Sequence, residues 1–255
     1  MRLLLGSDLH LEFYNNQRSF EKGPINRLPN KDDYDIVVLA GDIGSGFNGL
    51  NTIRSIVPLE KPIVYLPGNH EFYGKDYAVM NIAFQHYKRD DNVFIMAPGQ
   101  HEFDGVTIIG ATLWSQCTLP GYNTPLDAFN RSISDFRVIK YGTIELFSVA
   151  RMQDINRREA LYIKNKLETA KGKKVVVTHF LPTIECIAPR WRGDALNPYF
   201  CNDLDDLVAE ADLWLFGHTH ERMDFISKTG TRLVSNPHGY PGENREEFKW
   251  KVIEV

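Results

Sequence analysis

Two Asp, one Asn and five His stand just beyond short apolar runs of this chain, and together they are the oxygen and imidazole donors that divalent cations take. Asp8 and His10 follow Leu3-Leu4-Leu5, Asp42 follows Ile36–Ala40, and Asn69 and His70 follow Ile63–Leu66. His179 follows Val175-Val176-Val177, and His218 and His220 follow Leu213–Phe216. Asp8 and His10 are two apart, as are His218 and His220. In extended backbone each pair points to one side and reaches one ion. Gly41, Gly68 and Gly217 precede donors, as expected where backbone must pass close to a crowded ionic centre. One buried His alone usually answers to a hydrogen bond, and one strand-end Asp to an N-cap. Five such coincidences in one chain argue for a pair of metals.

The elements that must position these groups can be read from the same runs. A short, continuous apolar run suits a strand buried on both faces, as in a parallel sheet covered by helices. Ligands then sit beyond the carboxyl ends of the strands. Residues 50–57 read as a crossover helix stopped near Pro58. Residues 75–89 read as an amphipathic helix with Tyr77, Met80, Ala83 and Phe84 on one side. Residues 93–96 and 106–109 read as strands, the second leading into Thr112-Leu113-Trp114. A long helix over 151–171 carries Ile155, Leu161, Ile163 and Leu167 and ends near Gly172. Residues 222–226, 231–234 and 248–255 read as strands closing a sheet.

Taken together, Asp8-x-His10, Gly41-Asp42, Gly68-Asn69-His70-Glu71, His179 and Gly217-His218-x-His220 resemble the signature of the calcineurin-like metallophosphoesterase superfamily, across residues 8–220. The resemblance implies an α/β fold, a four-layer α-β-β-α sandwich of two mixed sheets flanked by helices. It also implies that Asp8, His10 and His220 hold one metal, that Asn69, His179 and His218 hold the other, and that Asp42 bridges them. His70 would be the catalytic residue, facing the substrate with Asn69. The chemistry so implied is metal-dependent hydrolysis of phosphoesters: two cations about 3.5–4 Å apart share a hydroxide that attacks phosphorus in line. Mn²⁺ is the first expectation for the two metals, with Fe, Zn²⁺ and Co²⁺ compatible with the same donors. The protein Ser/Thr phosphatase branch adds an acidic partner for the His and a phosphate-binding Arg after its Gly-Asp. Here Ile43-Gly44-Ser45-Gly46 follows, with neither group, so that branch is not expected and the partner of His70 is open. Glu71 is one candidate, unless it caps the following helix. The expected activity is a phosphodiesterase or phosphatase on small or nucleotide substrates. The alternatives are a metal-dependent nuclease or a non-catalytic binding scaffold.

Composition agrees. Donors drawn from both ends of the 255-residue chain favour one domain, and a 43% hydrophobic share is ample for a core. A net charge of −4 without a basic run disfavours a nucleic-acid partner, and no stretch reaches membrane-spanning length. Cys117, Cys186 and Cys201 lack paired spacing and read as free thiols of a reducing compartment, hence cytoplasmic. Met1-Arg2-Leu3-Leu4-Leu5 is too short for a signal core. Two stretches do not read as scaffold. Residues 115–148, with Arg131 and Arg137, form either a lid that binds substrate or an ordinary surface excursion. In Arg190-Trp191-Arg192 the two Arg either clamp phosphate around a stacking Trp or are solvated beside a packed one. His238, in a turn, is a further candidate for the cleft, whereas His86 and His101 read as surface residues.

Overall fold

Strands apolar at every position need cover on both faces. The computed structural model, which describes residues 1–14, 28–88, 90–244 and 247–255, supplies it with four layers. The strands are β1 (Arg2–Gly6), β2 (Ile36–Ala40), β3 (Ile63–Leu66), β4 (Val93–Ile95), β5 (Gly99–Phe103) and β6 (Val106–Ala111). They continue with β7 (Lys140–Tyr141), β8 (Glu145–Leu146), β9 (Lys173–Thr178), β10 (Leu213–Phe216), β11 (Met223–Ile226), β12 (Arg232–Ser235) and β13 (Lys251–Glu254). One sheet has the order β13-β1-β2-β3-β4, the other β11-β12-β10-β9-β6-β5, and β7 pairs with β8 apart from both. The central pairs are parallel, while β13, β11 and β5 join antiparallel, so both sheets are mixed.

Successive side chains of a strand point to opposite faces, and the packing follows that alternation. Leu3, Leu5, Val38 and Val64 meet Ile108, Val175, Val177 and Leu215 between the sheets. Leu4, Val37, Leu39 and Tyr65 turn outward onto α1 (Asn48–Ile56) and α2 (Tyr77–Gln85), where Leu50, Ile53 and Phe84 wait. The next helices are α3 (Leu126–Ser132), α4 (Asp135–Val138) and α5 (Val149–Thr169). On the far side Val176, Trp214 and Phe216 pack against Ile163 and Leu167 of α5. Each fully buried Leu, Ile or Val contributes roughly 1.5–3 kcal/mol, so burial on both faces holds the strands in register and their ends in place. Two short helices, α6 (Asn197–Phe200) and α7 (Asp205–Val208), follow β9.

Several sequence expectations shift. The last strand does not close the sheet of β11 and β12. It crosses back to pair with β1, Arg2 opposite Glu254. Leu161 is 57% exposed, because it sits six residues, about 240° of turn, from the inward Ile155. The helix expected over 75–89 starts at its Asp76 cap, whose side chain accepts from Val79 N, and ends at Gln85; Arg89 lies outside the described residues. The 115–148 stretch is structured, with Phe129, Phe136, Ile139 and Phe147 buried in the same cluster as Leu50 and Ile53.

Candidate metal centre and cleft

Beyond the carboxyl ends of β1, β2 and β10 the chain turns at once. Asp8, His10, Asp42, His218 and His220 all have left-handed backbone, φ +48° to +68°. That conformation costs an L-residue about 1–2 kcal/mol, and Asn, Asp and His tolerate it best. The extended geometry expected for Asp8 and His10 is therefore wrong, although both still reach one place. The loops zip to each other: Asp8 N donates to Gly41 O (2.9 Å), His10 N to Asp42 O (3.0 Å) and Leu11 N to Ile43 O (3.0 Å). His218 N donates to Asp8 Oδ1 at 2.9 Å, which joins the last donor loop to the first. Gly68 meets the expectation of close approach: a Cβ there would collide with Asp42 Oδ1 and lie 2.8 Å from His179 Nε2.

The donors gather as two triads, Asp8-His10-His220 and Asp42-His179-His218, with ligand atoms of each within 4.8 Å of one another. His10 Nε2 and His220 Nε2 face each other at 3.1 Å, and Asp8 Oδ1 lies 3.5 Å from His220 Nε2. Asp42 Oδ2 is 3.3 Å from His179 Nε2 and 4.0 Å from His10 Nε2, between the triads. The other ring nitrogens are engaged: His179 Nδ1 with Ala40 O (2.9 Å), His220 Nδ1 with Glu243 Oε2 (2.6 Å), His10 Nδ1 with Glu12 Oε1 (3.2 Å). Such partners fix the ring and leave Nε2 for a metal. His218 Nε2 is buried without a hydrogen-bond partner among the described residues. Asn69 turns Oδ1 toward His179 Nε2 (3.0 Å), because its Nδ2 donates to Asp135 Oδ1 (3.0 Å). This donor set fits two cations.

Burial holds His218 neutral, with its pKa well below the usual imidazole range, and the neighbouring His179 adds to this. For His179 burial opposes the charged form, but the Asp42 carboxylate lifts it to about 9. His220 rises to about 10 against the same burial, through Asp8 and Glu243. Metal binding would displace these protons.

His70 is not on extended backbone either; it opens a short 3₁₀ turn, His70–Phe72, with Asn69 helical. Its N–H donates to Asp42 Oδ1 (2.8 Å), its Nδ1 lies 2.8 Å from Glu12 Oε1, and its Nε2 lies 3.2 Å from Tyr240 Oη in the cleft. Glu71 does not touch it. The Glu71 carboxylate instead accepts from Gly68 N, Asp42 N, Ile43 N and Tyr65 Oη, bracing two donor loops. The sequence reading missed Glu12, Asp135, Tyr240 and Glu243. Only Glu12 left a signal, as the third member of the alternation Asp8, His10, Glu12 after β1. The others come from remote segments.

Asp42, Asn69, His70, His218 and His220 line one end of a cleft of about 390 Å³. Arg190 and Trp191 line it too, with Arg190 paired to Glu221 and stacked over Trp191 at 5.1 Å. Arg131, Arg137 and Arg192 do not: all three are exposed, and Arg137 reaches back to Arg131 O at the end of α3. His238 is half-buried behind the cleft, 3.4 Å from Tyr14 Oη and packed on Phe248.

The family described as calcineurin-like phosphoesterase matches residues 1–222. An uncharacterized protein of Acanthamoeba polyphaga mimivirus is 29% identical over 272 aligned positions, 98% of this chain and 95% of that one. In fold, phosphopantetheinyl hydrolase from Mycobacterium tuberculosis is similar, with a TM-score of 0.65 at 15% identity over 98% of this chain and 95% of that one. A dimetal phosphatase from Danio rerio reaches 0.49 at 14% identity, over 92% of this chain and 86% of that one.

Proposed function

The chain belongs to the calcineurin-like phosphoesterase family, and from that premise we propose that it hydrolyses small phosphoesters, a class that includes nucleotides, with two divalent cations. The observation that carries this reading is the position of Asp42, whose Oδ2 faces both donor triads from 3.3 and 4.0 Å. Asp8, His10 and His220 would hold one cation, and Asn69, His179 and His218 the other. When bound, the pair would acidify a water and neutralise phosphoryl charge. His70 supplies what metals do not. Glu12 fixes its Nδ1, so Nε2 faces the cleft, where it can give a proton to the departing oxygen. Burial opposes a charged His70, whereas the Asp42 and Glu12 carboxylates raise its pKa in the metal-free protein. Asn69, held by Asp135, presents its amide oxygen to the metals rather than its nitrogen.

A small substrate is favoured over a polynucleotide. Among the described residues lining the cleft, Arg190 is the sole Lys or Arg, and Glu221 neutralises it; a chain of phosphates calls for several cations. The test is metal removal by chelation, then reconstitution with Mn²⁺, Zn²⁺, Fe²⁺ or Co²⁺ against p-nitrophenyl phosphate, bis-p-nitrophenyl phosphate, a cyclic nucleotide and an oligonucleotide. Turnover should vanish with chelation and return with two metals per chain. A dimetal-loaded protein inert toward every ester would overturn the reading.

A further inference from the structure

We propose that the organic part of the substrate is uncharged and apolar, an alkyl or aryl group, and that it lies against Ile133, Ile187 and Trp191. This rests on the hydrolase reading above and narrows its substrate class. Asp42 and His218 line the same cavity as Ile133, Ile187 and Trp191, which gives the group esterified to the phosphate room to extend there. Its walls at the α3–α4 junction and along residues 181–200 set Ile133, Leu181, Ile187, Ala188, Leu196 and Phe200 among Ser132, Ser134, Asp194 and Asn197. Trp114, Trp214 and Trp250 are at most 7% exposed, whereas Trp191 is 46% exposed on the cavity wall. Arg190 covers one face of this indole, and the exposed remainder offers apolar surface to a ligand in the cavity.

Several polar groups of this arm are engaged within the protein. Asn197 Nδ2 donates to Tyr122 Oη (3.0 Å) and Trp191 O (2.7 Å). Asp194 Oδ1 accepts from Leu196 N (2.8 Å). Asp135 accepts from Tyr73, Tyr199 and Asn69. Strong discrimination for a base edge needs polar groups that only the ligand can satisfy, and Asn197 Nδ2, Asp194 Oδ1 and Asp135 are bonded without one. A second phosphate would meet Asp194 and Glu243 on the lining, with Arg190 spent on Glu221. Apolar contact is what remains to hold the leaving group.

The experiment measures binding of phosphonates, which cannot be hydrolysed, to the metal-loaded protein by calorimetry. The ligands are methylphosphonate, 3-phenylpropylphosphonate and the 5′-methylenephosphonate analogue of adenosine monophosphate. The phenylpropyl compound should bind about 10–10²-fold more tightly than methylphosphonate, from the apolar area it buries, and more tightly than the nucleotide. In Trp191→Ala and Ile187→Ser that ratio should fall several-fold toward one. Equal binding of the two phosphonates, tighter binding of the nucleotide, or an unchanged ratio in both variants would overturn the proposal. Turnover of p-nitrophenyl phosphate, measured on the same sample, reports separately on the hydrolase reading.

Discussion

At one end of the cleft, Asp8, Asp42, His179 and His218 each stand within a few residues of the carboxyl end of a parallel strand, and neighbouring loops are stitched by backbone hydrogen bonds. At the other end Ile133, Ile187 and Trp191 ride on short helices and the turns between them. Strands buried on both faces fix the first set through the core, so strained left-handed backbone can persist there. The second set hangs on excursions whose composition can change while the sheets stay intact. On the proposed reading, chemistry is tied to strand ends and selectivity to the short helices and turns that flank them.

The comparison breaks most visibly at Asp42. Asp42→Asn should lower metal content from two per chain and reduce turnover by more than about 10³-fold, whereas changes at Trp191 should leave metal content alone. Elemental analysis that finds two metals still bound to Asp42→Asn ends the bridging assignment. Next is the His70 pair. His70→Ala should keep its metals and lose roughly 10²–10⁴-fold in kcat, less for p-nitrophenyl esters, whose leaving oxygen needs little protonation. Glu12→Gln should lose about 10–10²-fold and, because Glu12 also holds His10, should weaken the metal held there as well. An equal loss for good and poor leaving groups would mean charge stabilisation rather than proton donation.

A smaller effect lies behind the metal end. Burial lifts Glu159 to about 8, against the bonds from Leu113 N and Trp114 N that lower it. The same carboxyl in an unfolded chain ionises near 4.5. Between those values the folded protein holds the extra proton, so stability falls as pH rises and levels off above about 8. Glu159→Gln cannot ionise, and relative to the parent it should gain a few kcal/mol by pH 9 in denaturant midpoints. Parallel pH curves for the two proteins would show that Glu159 does not titrate in this window. The smallest effect should come from Arg137→Ala and Arg131→Ala: both side chains lie outside the cleft, so kcat/KM should stay within about twofold. A larger change in KM would mean that the α3–α4 segment closes over substrate.

What could be read from the sequence divides along the same line. Apolar runs ending in Asp, Asn or His marked the strands, their burial and the donor positions, because strand ends and donor types are local properties. The conformation of the donors was not local. Asp8 and His10 reach one place through left-handed turns held by Gly41 and Asp42 on another strand, not through extended spacing. Glu243 and Asp135 were invisible for the same reason: each acts on a partner, His220 or Asn69, supplied by a different part of the chain. The final strand was legible as a strand, but its pairing with β1 depended on which sheet still had an open edge.

That pairing, and the bond from His218 N to an Asp8 carboxylate 210 residues earlier, set an order of events during synthesis. At about 5–20 residues per second, Asp8 leaves the ribosome on the order of ten to forty seconds before His218. Over that interval the nascent chain carries β1 with one edge unpartnered and an Asp-x-His pair that still lacks His220. A cation caught then would meet too few donors to be held in its final coordination. Metal loading is therefore expected only once translation has passed His220, and an arrested chain lacking β13 should expose the β1 edge to whatever strand arrives first.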